Sequence, residues 1–261
     1  MVAYVRVRTL CRAIVTTARA AAAAAALLAA LAGAVAAQER RLLSQEEGLA
    51  FRAVGRLNVA GTRFCTATLI SETVIVTAAH CLFHPRTRAE VPLAEFRFVA
   101  GLRMGKSAAV RGVVRAVTQP DFTFEGFASP AGVVADLALL ELDEAVAAED
   151  AAAFPTGDLA EDAGPLAIVS YARDRAQAPS IETPCELAAS FAGVAALACA
   201  VNYGASGAPV LQGEEGERRV VAVVSAMGTA LASKDPVTIA VLAGPWIEPL
   251  LAALAAEPRA E

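Results

Sequence analysis

From Phe51 onward the chain is cut into short runs of β-branched and apolar residues, and no helix-period segment of any length interrupts the first half of them. The runs span residues 53–59, 63–70, 73–77, 95–100, 108–117 and 137–142, with Gly61 and Ser71-Glu72 as the first separators. Residues 144–158 are rich in alanine and acids and contain Pro155 and Gly157, which reads as a connector. Strand-like runs then resume at 166–171, 196–201, 210–211, 219–225 and 237–242. Short, partly alternating runs at this spacing predict antiparallel sheets or barrels. Residues 245–254 space their apolar side chains as a short amphipathic helix, and no internal repeat is visible.

The N-terminus belongs to a different class of segment. Residues 1–37 hold Arg6, Arg8, Arg12 and Arg19, no acid, an apolar run at 20–32 and the small-residue ending Gly33-Ala34-Val35-Ala36-Ala37. This is the pattern of a secretory signal peptide cut after Ala36 or Ala37, and the run is short for a stable membrane span. Residues 38–49 are polar and charged and read as an exposed lead-in or short propeptide, with Arg40-Arg41 as a conceivable processing point. Losing the signal segment removes four arginines and no acid, which takes the formal net charge from −5 to −9. An acidic body without a basic cluster argues against a nucleic-acid partner. The expected location is therefore the periplasm or the extracellular space. Cys11 leaves with the segment, and Cys65, Cys81, Cys185 and Cys199 remain, an even number with three connectivities open.

Gly204-Ala205-Ser206-Gly207-Ala208-Pro209 is where a serine hydroxyl could be held at a sharp turn beside free backbone N–H groups. A serine is a poor nucleophile at neutral pH unless a base takes its proton, and histidine has the pKa for it. His80 in Thr77-Ala78-Ala79-His80-Cys81 is the candidate base, and Asp136, just before Leu137-Ala138-Leu139-Leu140, is the carboxylate that would hold its tautomer. Ser225, at the end of an apolar run, could support that carboxylate. The amides of Gly204 and Ser206 would stabilise an oxyanion, an effect worth on the order of 3 kcal/mol per donor. A zinc site from Cys65, His80, Cys81 and His84 has ligands of the right kind, but adjacent His80 and Cys81 rarely reach one tetrahedral ion together. His84 reads as a loop residue.

The three motifs in this order, with the strand ending at Ser225 and the Trp246-Ile247 helix, resemble the trypsin/chymotrypsin-like serine protease superfamily over about residues 50–255. The resemblance implies an all-β chain of two six-stranded antiparallel β-barrels with a short C-terminal helix. It places the N-terminal barrel at 50–145, an inter-barrel linker at 146–164, and the C-terminal barrel plus helix at 165–261. The active site would lie in the cleft, with His80 and Asp136 from the first barrel and Ser206 from the second. It implies a serine endopeptidase that works through an acyl-enzyme on protein or peptide substrates, with no cofactor and no metal. The competing reading is a secreted pseudoprotease kept as a binding module, whose sign would be a lost triad member; none is lost. The family pairs the cysteine after the histidine with one about sixteen residues upstream, which matches Cys65 and Cys81. Cys185 and Cys199 are then paired by neighbourhood.

Two departures matter. Animal members carry aspartate immediately before the serine, where it bonds the N-terminus freed by activation, whereas this chain has Ala205 and shows no Ile-Val-Gly-Gly start. It is therefore more similar to the bacterial, V8-like branch, and activity is expected not to need a particular free N-terminus. For specificity, Ala200 stands where trypsin has its pocket aspartate, and Val224 where glutamate-specific relatives carry histidine. Ala200, Val201 and Met227 would form a small apolar pocket.

Overall fold

A computed structural model describes residues 40–126, 130–160, 162, 164, 166–230 and 233–259, with side chains left out at 130 and 131. The expected signal segment, residues 1–37, lies outside the described residues. The strands, in chain order, are β1 (Arg41–Leu42), β2 (Val54–Val59), β3 (Arg63–Leu69), β4 (Val74–Thr77), β5 (Phe96–Ala100), β6 (Ala109–Arg111), β7 (Val113–Thr118) and β8 (Ala138–Leu142). They continue as β9 (Leu166–Ala172), β10 (Arg175–Phe191), β11 (Val194–Ala198), β12 (Pro209–Gln212), β13 (Arg219–Thr229) and β14 (Pro236–Leu242). Two α-helices complete the set among the described residues, α1 (Pro130–Val134) and α2 (Gly244–Ala256).

The strands form two antiparallel sheets. One runs β6-β5-β2-β3-β4-β8-β7, and the other runs β1-β10-β11-β14-β13-β12-β9. In the second, β9 also pairs with β10, with Ser180 opposite Ser170 and Ile181 opposite Val169, which closes six strands into a barrel. The first sheet curls around its own core; no ladder joins its edge strands β6 and β7 among the described residues. The architecture is the expected all-β, chymotrypsin-like one, with one barrel closed by backbone pairing and its companion a seven-stranded curl.

Apolar side chains sort into three cores. Leu57, Ile75, Phe98 and Leu140 fill the first sheet, and Ile168, Leu197, Val210 and Val224 fill the second. The third core lies between the sheets and joins Val76, Leu137, Leu139, Tyr171, Val223 and Val241. Strand β8 explains the sorting: Ala138, Leu140 and Leu142 face one core while Leu139 faces the junction, as period-2 alternation requires. A strand buried on both faces reads as a continuous apolar run, which is how 137–142 appears in the sequence. On α2, Ile247, Leu250 and Leu254 bury one stripe against this junction core. Each contributes about 2 kcal/mol of burial, more than the short helix could supply by itself.

The structure adds two changes to the expected picture. Most residues of the described lead-in are exposed, but Arg41 pairs with Ile181 and Leu42 with Ser180, and Leu43 is buried in the junction core. The burial of Leu43 anchors this docking, and its polar and charged neighbours hide it in the sequence. The second change is β10, absent from the sequence-based strands. Its ladder to β9 lapses between Arg175 and Ser180 and again between Glu182 and Cys185, the intervals that contain Pro179 and Pro184. Proline has no N–H to donate to a ladder, so a strand built around two irregularities reads as loop.

Candidate active site

His80 sits in a single 3₁₀ turn, Ala79–Leu82, directly after β4. Its ring Nδ1 lies 2.6 Å from Asp136 Oδ2, and its own backbone N–H donates to Asp136 Oδ1 at 2.7 Å. Ser225 Oγ on β13 donates to Asp136 Oδ2 at 2.5 Å. Asp136 therefore accepts from three donors, two of them fixing one histidine. The carboxylate is placed by the turn between α1 and β8: the Asp136 amide donates to Val133 O at 3.3 Å and the Leu137 amide to Ala135 O at 2.8 Å. The Asp136 side chain is 5% exposed and that of His80 26%, so the carboxylate is sealed in and the ring reaches the surface. With Nδ1 engaged as donor to the carboxylate, Nε2 is left as the acceptor.

Ser206 occupies the turn between β11 and β12 and lines the same cavity as His80, a recess of about 530 Å³. Local backbone bonds shape the turn: Ala205 N–H donates to Asn202 O (3.0 Å) and Ala208 N–H to Ala205 O (2.9 Å). The amides of Gly204 and Ser206 carry no backbone partner among the described residues. Gly207 has φ +81°, and a Cβ there would collide with Thr66 O and Thr77 Oγ1. Only glycine tolerates both the dihedral and the contact.

Thr66 and Thr77 are the residues that sequence reasoning missed. Thr66 N–H donates to Ser206 O at 2.8 Å, and its hydroxyl donates to Gly204 O at 2.9 Å while accepting from Tyr171 N–H at 3.0 Å. Thr77 Oγ1 donates to Thr66 O at 2.8 Å. These bonds stitch strand β3 of the first sheet to the serine turn of the second. The available signal was polar threonine within apolar strand runs, where a buried hydroxyl needs a partner. Burial also pushes the Tyr171 hydroxyl pKa up, and it donates to Leu102 O at 2.9 Å.

Of the three expected pocket residues, Val201 and Met227 line the cavity, together with Val224 and Ala226. Ala200 is not among the lining residues; its N–H is turned to the buried carboxylate of Glu182. Burial raises the Glu182 pKa, while that amide and the Arg40 charge pull it back. The opposite wall, from the loop between β7 and β8, brings Phe122, Phe124 and Val133, which sequence reasoning also left out.

Both cysteine pairs are bonded as expected, Cys65 to Cys81 and Cys185 to Cys199, with Cα atoms 6.3 Å and 5.4 Å apart. The first joins β3 to the residue after His80. His84 Nδ1 accepts from the Arg86 and Thr87 amides at 3.3 and 3.2 Å. Of the alternative zinc set, the two sulfurs are bonded to each other.

The geometry agrees with what comparison finds. The family described as trypsin-like peptidase domain matches residues 65–223. No curated protein sequence matches the chain. Among solved structures, a Glu endopeptidase in complex with MPD superposes with a TM-score of 0.65 at 14% identity, covering 85% of this chain and 99% of that one. A thermostable serine protease, AL20, from an extremophilic microorganism gives 0.62 at 16% identity, covering 79% and 99%. At these identities the superpositions establish the fold, and the domain match spans the stretch from Cys65 through His80, Asp136 and Ser206 to Val223. The chain belongs to the trypsin-like peptidase family.

Proposed function

We propose that the protein is an exported serine endopeptidase that cleaves peptide bonds through an acyl-enzyme on Ser206. The observation that carries this reading is the Asp136 carboxylate, which holds the His80 ring and backbone at 2.6 and 2.7 Å and is itself held by Ser225 at 2.5 Å. A carboxylate so placed fixes one tautomer and stabilises the imidazolium that forms when the ring takes a proton. His80 Nε2 then takes the Ser206 proton as the hydroxyl attacks the scissile carbonyl. The Gly204 and Ser206 amides receive the developing oxyanion, and His80 returns the proton to the leaving amine. Water repeats the sequence on the acyl-enzyme. No group outside this set is needed for any step.

Val201, Ala226 and Met227 form an uncharged wall that suits small or apolar side chains on the acyl side of the bond. Export rests on the segment at 1–37 and on two disulfides, which persist in oxidising compartments. No helix among the described residues is long and apolar enough to cross a membrane. Hydrolysis of internally quenched peptides by the purified protein, compared with Ser206→Ala, tests the reading. Cleavage that vanishes in the variant supports it; folded wild-type protein that binds peptides without cutting them would make it a pseudoprotease.

A further inference from the structure

A second recess of about 480 Å³ adjoins the catalytic cavity, and Arg63 lines both. Its walls come from three neighbouring strands: Arg56 and Asn58 on β2, Arg63 and Phe64 on β3, and Arg97 on β5. Asn58 pairs with Phe64 on one side and with Arg97 on the other, so Arg56, Asn58, Phe64 and Arg97 share one face by register. The recess thus gathers three cations against the single exposed carboxylate of Glu95, on a chain whose formal net charge is −5.

None of the three guanidinium groups forms an ion pair with a carboxylate among the described residues. They are anchored instead by neutral acceptors. Arg56 donates to Asn58 Oδ1 at 2.8 Å and to Ala176 O at 3.0 Å, and Arg63 donates to Cys81 O at 2.7 Å and to Phe83 O. Arg97 donates to Ala94 O and Phe96 O at 2.8 and 2.7 Å. Each group spends only part of its five donors, so the rest remain for a ligand. Burial lowers the pKa of both Arg56 and Arg63, as expected for charge that the protein itself does not offset. Rigidly held guanidinium forks with spare donors match carboxylates.

The position identifies the ligand. The Phe64 ring packs against Gly204, where an added Cβ would strike it, so the recess opens beside the amide assigned to the oxyanion. Val201, Ala226 and Met227, which would receive the acyl half of a substrate, belong to the second sheet and its loops, whereas the arginine recess belongs to the first. A peptide held across Ser206 with its acyl side against the former leaves along the latter, and at about 3.3 Å per extended residue it enters within the first few positions. We propose that this recess is a subsite for aspartate or glutamate side chains on the leaving-group half of the peptide substrate, an inference that rests on the peptidase reading above.

The test separates binding from chemistry. Labelled peptides with a common acyl half and Glu, Gln or Lys at the second and third positions of the leaving half are titrated onto the Ser206→Ala protein by fluorescence anisotropy. The Glu peptide is expected to bind roughly tenfold more tightly than the Lys peptide, with the advantage shrinking in high salt as screening requires. Arg97→Gln, at an exposed position, should cut the Glu-to-Gln ratio severalfold. Equal affinities, a ratio untouched by Arg97→Gln, or a preference that follows acids placed in the acyl half would overturn the subsite. Quenched versions of the same peptides on wild-type protein report cleavage separately: binding preference without Ser206-dependent cleavage would sink the peptidase reading while leaving an acidic-peptide site.

Discussion

The two sheets hold their halves of the site by different means. In the second, β9 and β10 pair to close the barrel, and the serine turn is fixed by backbone bonds and by the fit of Gly207 beneath Thr66 and Thr77. In the first, the edge strands do not pair among the described residues, and His80 is held by side-chain chemistry: Asp136 on its ring and backbone, Ser225 on Asp136, and the Cys65–Cys81 bond beside it. Backbone ladders are distributed over many residues, whereas side-chain anchors are few. Leaving aside Gly207, where no side chain fits, trimming single side chains should therefore disturb the His80 end more readily than the serine turn.

Asp136→Asn gives the largest contrast. The amide can present a donor to Nδ1 and favour the wrong tautomer, so kcat should fall on the order of 10⁴-fold while the fold survives. A loss of only a few fold in steady-state hydrolysis would mean that Asp136 does not orient the base. The disulfides come next. Their sequence separations, 16 and 14 residues, are nearly equal, so chain entropy predicts a similar loss of about 3 kcal/mol for each Cys→Ser pair. Activity should part company with stability, however. The Cys65/Cys81 double variant should lose up to about 100-fold in turnover at temperatures where it stays folded, because the turn carrying His80 is freed to shift. The Cys185/Cys199 variant should lose much less, since the ladder still closes its barrel. Equal activity losses would break the distinction. Ser225→Ala, which removes one of three donors to Asp136, should cost about 1–2 kcal/mol of transition-state stabilisation, or roughly tenfold in kcat/KM.

The smallest effect contrasts two buried glutamates, one per sheet. Glu141 on β8 is clamped by Arg115 and Arg259, and these bonds hold its pKa below the ordinary value of 4.5. Glu182 on β10 lies 1% exposed with Oε2 unpartnered, and burial lifts its pKa above 4.5. The linkage signs are opposite. Glu141 contributes stability above its unfolded pKa, lost as pH falls through the depressed folded value. Glu182 costs stability as pH rises from 4.5 to the raised folded value, because the unfolded chain releases its proton first. The cost is about 1.4 kcal/mol for each tenfold weakening of the acid on folding. The free energy of unfolding in denaturant should therefore rise more steeply between pH 4 and 7 for Glu182→Gln than for wild type, whose curve sags. Parallel curves would show that Glu182 is compensated.

What was legible in the sequence follows the same division. The meeting of His80, Asp136 and Ser225 beside the cavity that Ser206 lines could be expected, because the proposed roles each ask for a particular side chain in a particular local setting and the motifs keep chain order. The stitching by Thr66 was hidden, since its partners Gly204, Ser206 and Tyr171 lie across the junction and a buried threonine does not say which carbonyl it meets. Ala200 faces Glu182 and not the cavity, a choice made by a strand, β10, whose prolines conceal it. The docking of Leu43 depends on a junction core assembled from both sheets, which no local window contains.

Activation of Ser206 by His80 is open to covalent labelling with a serine-directed fluorophosphonate. One adduct should form, mapped to Ser206 by mass spectrometry, absent in Ser206→Ala and formed far more slowly in His80→Ala. Folded wild-type protein that stays unlabelled, or an adduct on another residue, would contradict it.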